Sequence, residues 1–336
     1  MIKKSLSLLA FCALTATAQS ELETYSVYDV NHDAAVTVED VTNVVNHALK
    51  APADSPQAVD AAALNALLKS IDARLARIED KLGIVPPPLE TQSFTANGVS
   101  FNMKLVEAGT FEMGQSADGN NVTPVHSVTI SQDYYIGETE VTQGLWYAVT
   151  GYSPTSDGSS WSSSYGLGDN YPAYNISWND CQDFITKLNA ATGQTFRMPT
   201  EAEWEFAAKG GNKSQGYTYS GSNTIDDVAW YTVNSYDKGS SSPDYGMHVV
   251  KTKQPNELGL YDMSGNVWEW CSDWYGSYSS SAVTDPTGAT SGSSRVRRGG
   301  SWGNIATGCR TANRNYNFPS GRNNSFGFRL CLSPSK

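Results

Sequence analysis

The 336-residue chain carries a formal net charge of −11, and only 17 % of its residues are charged, whereas 11 % are aromatic. An acidic chain repels phosphate backbones and anionic lipid surfaces, so we expect no nucleic-acid partner and no anionic-membrane partner. The aromatic fraction, with nine Trp, is higher than disordered chains contain. It predicts a packed fold rich in loops.

The first residues predict export. Lys3 and Lys4 form a positive segment, residues 5–14 are a short apolar run, and residues 16–18 read Ala-Thr-Ala, a small-residue cleavage pattern. We therefore expect residues 1–18 to be a signal peptide, and the mature chain to be secreted or held at the cell envelope. No later segment is long and apolar enough to span a membrane.

Oxygen-bearing residues in segment 29–40 follow the ligand spacing of a 12-residue calcium loop. The predicted calcium ligands are Asp29, Asn31, Asp33, Thr37 and Asp40 through side chains, and Ala35 through its carbonyl. Residues 25–50 resemble a single dockerin-type calcium-binding repeat, although Ala34 stands where glycine is usual. Calcium binding is predicted here, and a polar turn before a helix is the alternative.

Residues 57–84 predict a coiled-coil helix. Apolar side chains recur in steps of four and three, which is the pattern of an a/d seam. They are Leu64, Leu68, Ile71, Leu75, Ile78 and Leu82. Self-association as a dimer or trimer is the favoured interpretation, and a helix packed on the next domain is the alternative.

A Pro-rich linker is predicted over residues 85–98, followed by one large domain over residues 99–336. Within that domain, helices are expected to start near Thr142 and to cover residues 179–191. A third is expected after Pro199, where Thr200 and Glu203 have the spacing of a capping box.

Four motifs follow one another in the large domain. They read RMPTEAEWEFAA from Arg197, GLYDMSGNVWEW from Gly259, RGGSW from Arg298 and GFRL from Gly327. In this order and spacing they resemble the formylglycine-generating enzyme family, also called the sulfatase-modifying factor family. The resemblance implies an α+β, C-type-lectin-like fold with little regular secondary structure.

The family's oxidase converts a sulfatase cysteine to formylglycine and uses a pair of copper-binding cysteines shortly after the GGS motif. This chain has Asn304 in that stretch and a single thiol, Cys309, so the pair that soft Cu(I) requires is absent. A related branch uses histidine-ligated iron, but His126 and His248 lack ligand spacing. We expect neither copper nor iron, and Cys309 is a catalytic candidate only under the alternative that the protein is an oxidase.

The resemblance also implies a calcium site and two disulfides. The calcium ligands would be the side chains of Asp262 and Glu269 and the carbonyls of Gly265 and Val267, which are hard oxygen ligands. The family links the helix containing the first of the four cysteines to the last strand. The implied disulfides are Cys181–Cys331 and Cys271–Cys309.

The segment between GGSW and GFRL is rich in Asn and aromatic residues, which suit adaptable contact surfaces. It resembles the variable region of surface proteins that are diversified by retroelements. The predicted ligand-binding residues are Trp302, Asn304, Asn313, Asn315, Tyr316, Asn317, Asn323 and Asn324. Core packing is the competing interpretation for Trp302, and a solvated loop is the competing interpretation for the segment.

The sequence thus favours an exported, non-catalytic protein that binds a protein or glycan ligand and is supported by calcium. The alternatives are an oxidoreductase of the formylglycine-generating type, with copper or nonheme iron, and a structural component of an envelope secretion or gliding apparatus.

Overall fold

The computed structural model describes residues 90–116, 121–153 and 161–333. The predicted signal peptide, dockerin-like loop and coiled coil lie outside these residues. Within the described ranges, no helix has the length and hydropathy needed to cross a membrane.

The described chain forms fourteen short strands and four α-helices. The helices are α1 (Gln143–Thr150), α2 (Trp178–Thr192), α3 (Glu201–Ala208) and α4 (Ile225–Val228). The strands are β1 (Thr91–Ala96), β2 (Val99–Val106), β3 (Gly109–Met113), β4 (His126–Ile130), β5 (Tyr134–Gly137), β6 (Phe196–Arg197), β7 (Ala229–Trp230), β8 (Ser264–Gly265), β9 (Trp268–Trp274), β10 (Val283–Thr284), β11 (Arg295–Arg298), β12 (Arg314–Asn317), β13 (Phe326–Gly327) and β14 (Cys331–Leu332). The predicted α+β class is confirmed.

Side-chain caps start the three longer helices where the sequence predicts them. The Thr142 hydroxyl accepts a hydrogen bond from the Leu145 N–H at the start of α1. Ser177 with Asp180 and Thr200 with Glu203 form capping boxes on α2 and α3. These caps satisfy backbone donors that the first turn leaves free.

The predicted linker is wrong in its second half, because residues 91–96 are strand β1. This strand pairs with β2 in an antiparallel hairpin whose turn is Asn97-Gly98. Both turn residues have positive φ, 47° and 88°. Asn-Gly is the dipeptide that favours this turn between two alternating strands, so the predicted linker contains a local hairpin signal.

Three main sheets bring the last residues of the domain against its first ones. The largest has the order β1-β2-β5-β14-β6, so β14 lies between β5 and β6, which come more than 100 residues earlier in the chain. A second sheet has the order β12-β11-β9-β13, and a third has β10-β4-β3. The predicted contact segment, residues 303–326, therefore contains the edge strand β12 and ends at β13, and β14 follows it in the large sheet.

The core is built mainly from aromatic rings. Trp146 of α1 stacks on Phe184 of α2 with ring centroids 4.9 Å apart, and Phe328 meets both rings edge-on. Each such pair adds about 0.5–1.5 kcal/mol beyond the area that it buries. Seven of the nine tryptophans are buried or partly buried in the hydrophobic clusters, and Trp230 stacks on His248.

Candidate ligand-binding face and acidic cluster

Buried arginines hold the C-terminal segment in place. Arg298 of β11 is fully buried and forms ion pairs with Glu201 and Glu205 of α3. Its Nη1 also donates to the carbonyls of Thr311 and Asn313 at 3.1 and 2.8 Å. Burial raises the pKa of Glu205, but the neighbouring Arg298 and Lys209 outweigh it and lower the pKa to about 2. The pair with Arg298 is therefore ionised at neutral pH.

Arg314 anchors edge strand β12 from its inner side. Its Nε and Nη2 donate to the two carboxylate oxygens of Glu201 at 2.7 and 2.5 Å, a bidentate pair. Its guanidinium also lies over the rings of Tyr275 and Tyr278. With Arg314 fixed inward, the next residues along the strand are presented to solvent.

Large side chains are exposed along this segment. Ile305 is 65 % exposed, Phe318 63 % and Tyr316 49 %. The ring of Tyr316 rests on Tyr275 with centroids 4.1 Å apart, so it is held while its other side faces water. Exposed apolar side chains that form a contiguous patch mark surfaces that bind partners, and these three lie in one short segment of the chain.

A second exposed pair lies beside the start of the segment. The Thr232 N–H donates to the Asn304 carbonyl at 2.9 Å, which places residues 232–236 next to it. Val233 is 54 % exposed and Tyr236 51 %. We define the contact face as Val233, Tyr236, Ile305, Asn315, Tyr316, Phe318 and Asn323.

Trp302 does not belong to this face, which corrects the prediction that it contacts a ligand. It is only 3 % exposed, and the rings of Tyr165, Tyr236 and Tyr245 surround it with centroids 5.1–5.9 Å away. Its indole N–H donates to the Asn324 carbonyl at 3.4 Å. The large apolar ring is better placed inside this aromatic cluster than in water, so core packing is confirmed for Trp302.

The predicted asparagines divide into two groups. Asn315 and Asn323 are exposed, whereas Asn304, Asn313, Asn317 and Asn324 are half-buried. The amide of Asn313 donates to the Gly308 carbonyl at 2.8 Å, and the Asn304 side chain accepts from the Ser301 hydroxyl at 2.6 Å. Such bonds shape the loops. The Asn-rich composition of the segment does not show which Asn side chains bond within the loops and which are exposed.

Sequence reasoning missed four residues of the face, Val233, Tyr236, Ile305 and Phe318. Ile305 and Phe318 are large apolar residues between Asn- and Gly-rich turns, whereas a loop that only faces solvent consists mainly of polar residues. That signal was present in the sequence. Val233 and Tyr236 lie about 70 residues earlier in the chain, and only the fold places them beside Asn304.

The implied disulfides are wrong in this structure, because Cys181, Cys271, Cys309 and Cys331 are all free and buried thiols. Cys181 and Cys309 lie in separate hydrophobic clusters, and neither cluster contains the partner implied for it. Each thiol packs as a small apolar side chain instead.

The environment of Cys309 does not favour thiolate chemistry. Its thiol is fully buried, and burial raises its pKa to about 12. Its Sγ lies 4.0 Å from the Ser301 carbonyl oxygen. A Cu(I) ligand must be a thiolate, and this environment favours the neutral thiol.

The two described histidines pack against different aromatic rings. His248 stacks on Trp230 with centroids 3.5 Å apart, and burial lowers its pKa to about 4. His126 packs against Tyr278. Among the residues that the structure describes, no three His, Cys, Asp or Glu side chains are grouped to hold a metal ion.

The residues of the implied calcium site meet around a tight turn. Asp262 and Gly265 both have positive φ, 58° and 82°. A side chain at Gly265 would collide with the Trp230 carbonyl, which explains the glycine. Asp262 is 3 % exposed and its Oδ2 accepts from the Lys251 N–H at 2.9 Å.

Glu269, the other implied carboxylate ligand, is already bound within the protein. Arg329 donates to its Oε1 and Oε2, both at 2.7 Å, and the Trp204 indole donates to Oε2 at 2.6 Å. A third acid, Glu140, faces the same cluster and is 1 % exposed. Burial, together with the charges of Asp262 and Glu269, raises the pKa of Glu140 well above its ordinary value.

A cation would fit this cluster if its buried side chains carry more negative than positive charge. Three buried carboxylates, Glu140, Asp262 and Glu269, face the single guanidinium of Arg329. Burial also raises the pKa of Asp262, to about 6. Buried charges are stable only when paired or bound to metal, so the cluster matches a divalent cation in charge, but the described side chains are not grouped as a metal site.

Comparison with known proteins agrees with the resemblance in sequence. The profile of the sulfatase-modifying factor enzyme 1-like domain matches residues 92–334. A formylglycine-generating enzyme of Streptomyces coelicolor is 31 % identical over 277 residues, covering 65 % of this chain and 83 % of the relative. Chaperone protein LppX of Paenibacillus barcinonensis is 34 % identical over 212 residues, covering 53 % of this chain and 73 % of that protein.

Among solved structures, Treponema denticola variable protein 1 superposes with a TM-score of 0.63 at 33 % identity. The match covers 74 % of this chain and all of that chain. The predicted C-type-lectin-like fold of the formylglycine-generating enzyme type is confirmed.

Proposed function

Because the chain belongs to the family of the sulfatase-modifying factor enzyme 1-like domain, we propose that it uses the formylglycine-generating-enzyme scaffold to bind a ligand without catalysis. One observation carries the proposal. Between residues 304 and 324, Arg314 is bound to Glu201 in the interior, while Ile305, Tyr316 and Phe318 and the side chains of Asn315 and Asn323 stand in solvent. A segment that is held in place and exposes such residues is suited to bind a ligand.

The ligand we propose is a protein or a glycan outside the cytoplasm. Tyr316 and Phe318 bring large, rigid contact area with few rotatable bonds, and Asn315 and Asn323 bring adaptable hydrogen bonding. The similarity to a solved variable protein supports a display role. We further propose that the exposed positions are the ones altered if this segment is diversified.

The remaining parts of the chain support this role in the proposal. Residues 1–18 direct export, the coiled coil over residues 57–84 joins several domains, and joining raises avidity without new contacts. Calcium stabilises the loop with Asp29, Asn31, Asp33, Ala35, Thr37 and Asp40, and it stabilises the main domain at Asp262, Gly265, Val267 and Glu269. When bound there, calcium supplies positive charge and oxygen coordination that hold the GNVWEW turn.

Copper titration separates this proposal from the oxidase alternative. The reduced chain is expected to give no stoichiometric Cu(I)–thiolate absorbance, because Cys309 is a single, buried and neutral thiol. The titration of Cys309→Ser should match that of the wild type. Tight one-to-one copper binding that disappears in Cys309→Ser would contradict non-catalytic binding and favour the oxidase.

A further inference from the structure

Arg297 is a buried arginine without an acid to balance its charge. It lies in β11 and is 6 % exposed. Its Nη2 donates to the Asn315 side-chain oxygen at 3.1 Å and to the Tyr316 carbonyl at 3.2 Å, whereas Nε and Nη1 have no hydrogen-bond partner. Within the described ranges no carboxylate pairs with it, and burial alone lowers its pKa to about 9. The guanidinium is therefore an unbalanced cation at neutral pH.

Other buried arginines of the domain are paired. Arg298, Arg314 and Arg329 are each bound to a glutamate. A buried charge without a partner destabilises a fold, and such violations are expected at functional sites. Arg297 therefore indicates a partner that the described part of the chain does not supply, and that partner must be an anion.

A second arginine, Arg295, lies two positions earlier in β11 and points to the same face of the sheet, because alternate residues of a strand do so. Its guanidinium lies between the rings of Trp178 and Trp274, 3.9 and 3.5 Å from their centroids. Nη1 donates to the Ser272 carbonyl at 2.6 Å, and Nε has no hydrogen-bond partner. Burial lowers the pKa of Arg295, and the charge of Asp273 offsets this only in part.

The edge strand β12 adds two amides beside these arginines. Asn315 and Asn317 are the cross-strand partners of Arg297 and Arg295. Each amide oxygen accepts from the backbone N–H of the following residue, at 2.6 and 2.7 Å. Each NH2 group is left to donate to another molecule. We call Arg295, Arg297, Asn315 and Asn317 the donor wall.

The donor wall is complementary to a carboxylate. The two terminal nitrogens of a guanidinium match the two oxygens of a carboxylate, and such charge-assisted pairs are stronger than neutral hydrogen bonds. A carboxylate that replaces the Asn315 oxygen would accept from Nη1 and Nη2 of Arg297 together. The net charge of −11 repels polyanions. One carboxylate on an otherwise uncharged ligand therefore fits best.

The edge of β12 favours a sugar over a peptide as the carrier of this carboxylate. Peptides commonly bind a sheet by adding a strand to its edge. Here the N–H groups of Tyr316 and Phe318 are bonded to Asn side chains, and the Arg314 carbonyl accepts from Asn121 at 3.0 Å. These bonds block backbone pairing. The amide NH2 groups suit sugar hydroxyls, and the ring of Phe318, which is 63 % exposed, offers apolar area.

We propose that the donor wall binds the carboxylate of an acidic sugar, of the uronic acid type, at the edge of the contact face. This assignment rests on the proposed function, because it names the class of ligand for a face that includes Asn315. Arg297 and Arg295 supply the positive charge, and the two amides donate to neighbouring hydroxyls.

Titration of the full chain with methyl glucuronide tests the assignment, with methyl glucoside as the uncharged counterpart. Tryptophan fluorescence is the readout, because Trp178 and Trp274 enclose Arg295. The glucuronide should bind at least about tenfold more tightly than the glucoside, since the carboxylate forms charge-assisted hydrogen bonds. Equal affinity for the two sugars, or no binding of the glucuronide, would overturn the assignment.

Arg297→Met separates a binding role from a structural one. The variant should lose at least about tenfold in affinity for the glucuronide. Its Tm should stay within about 3 °C of the wild type, because methionine removes an unpaired buried cation. Lys213→Met is the matched control, since it removes the same charge from an exposed position, and it should bind as the wild type does. Wild-type affinity in Arg297→Met, or a Tm as low as that of Arg298→Met, would contradict the binding role.

Further arms distinguish this assignment from the proposed function. If arrays of glycans and purified extracellular proteins identify a neutral ligand whose binding is unchanged in Arg297→Met, the contact face stands and the acidic sugar is overturned. An acetylated and amidated glutamate peptide that binds in place of the glucuronide would also overturn the sugar. If the wild-type chain binds nothing on the arrays and no glucuronide, both the assignment and the proposed function fail.

Discussion

Replacing Arg298 with methionine is expected to lower the free energy of unfolding by about 3–5 kcal/mol, which is typical of removing one partner from a buried ion pair. Arg298 is fully buried and pairs with Glu201 and Glu205. Methionine fills similar volume but leaves Glu205 short of a cation, and it frees the carbonyls of Thr311 and Asn313 in the interior. Urea unfolding followed by tryptophan fluorescence measures the change.

Arg322→Met is the matched control for this prediction. Arg322 pairs with Asp180 at 2.7 Å, but its side chain is 28 % exposed and that of Asp180 21 %. Because water screens such a pair, its loss should cost no more than about 1 kcal/mol. Equal costs for the two variants would contradict the claim that the Arg298 network holds the contact segment in place.

Substituting serine at Ile305, Tyr316 and Phe318 together is expected to weaken ligand binding at least about 100-fold, since a few large side chains carry most of the affinity at an interface. The same variant should stay within about 2 kcal/mol of the wild type in stability, because exposed positions contribute little each. The wild-type chain would first be screened on arrays of glycans and purified extracellular proteins. Titration calorimetry with the strongest binder then compares the two proteins.

Three exposed residues elsewhere in the domain provide a control. Tyr147, Tyr152 and Leu167 are 60 %, 49 % and 54 % exposed, so serine there removes comparable apolar surface. This second triple variant should bind as the wild type does. Loss of binding in the control, or its retention in the first variant, would contradict the location of the contact face.

Local signals in the sequence predicted the elements that depend on contacts between residues close together in the chain. Thr142, Ser177 and Thr200 mark the helix starts because each cap involves residues only three positions apart. The ordered motifs from Arg197 to Leu330 predicted the fold. The Asn97-Gly98 turn is equally local, whereas the linker prediction depends on the Pro-rich composition of the residues before it.

Features that depend on tertiary contacts were not predictable in this way. Glu140 and Asp262 are 122 positions apart, and only the fold shows that the first has no partner while Glu269 is bound by Arg329. Trp302 follows the GGS motif in a polar segment, yet three tyrosines from residues 165–245 enclose it. The disulfide prediction depended on the family resemblance alone. It was wrong because the positions of the four thiols depend on tertiary contacts.

The central claim is that a fixed scaffold carries a replaceable contact face, and a display library tests it most directly. Ile305, Asn315, Tyr316, Phe318 and Asn323 would be randomised together in cell-surface display, and clones sorted for folding and for binding to one chosen protein. The account predicts that most clones fold and that new binders are recovered. Loss of folding in most clones, to the extent seen when Arg298 and Arg314 are randomised, would contradict it.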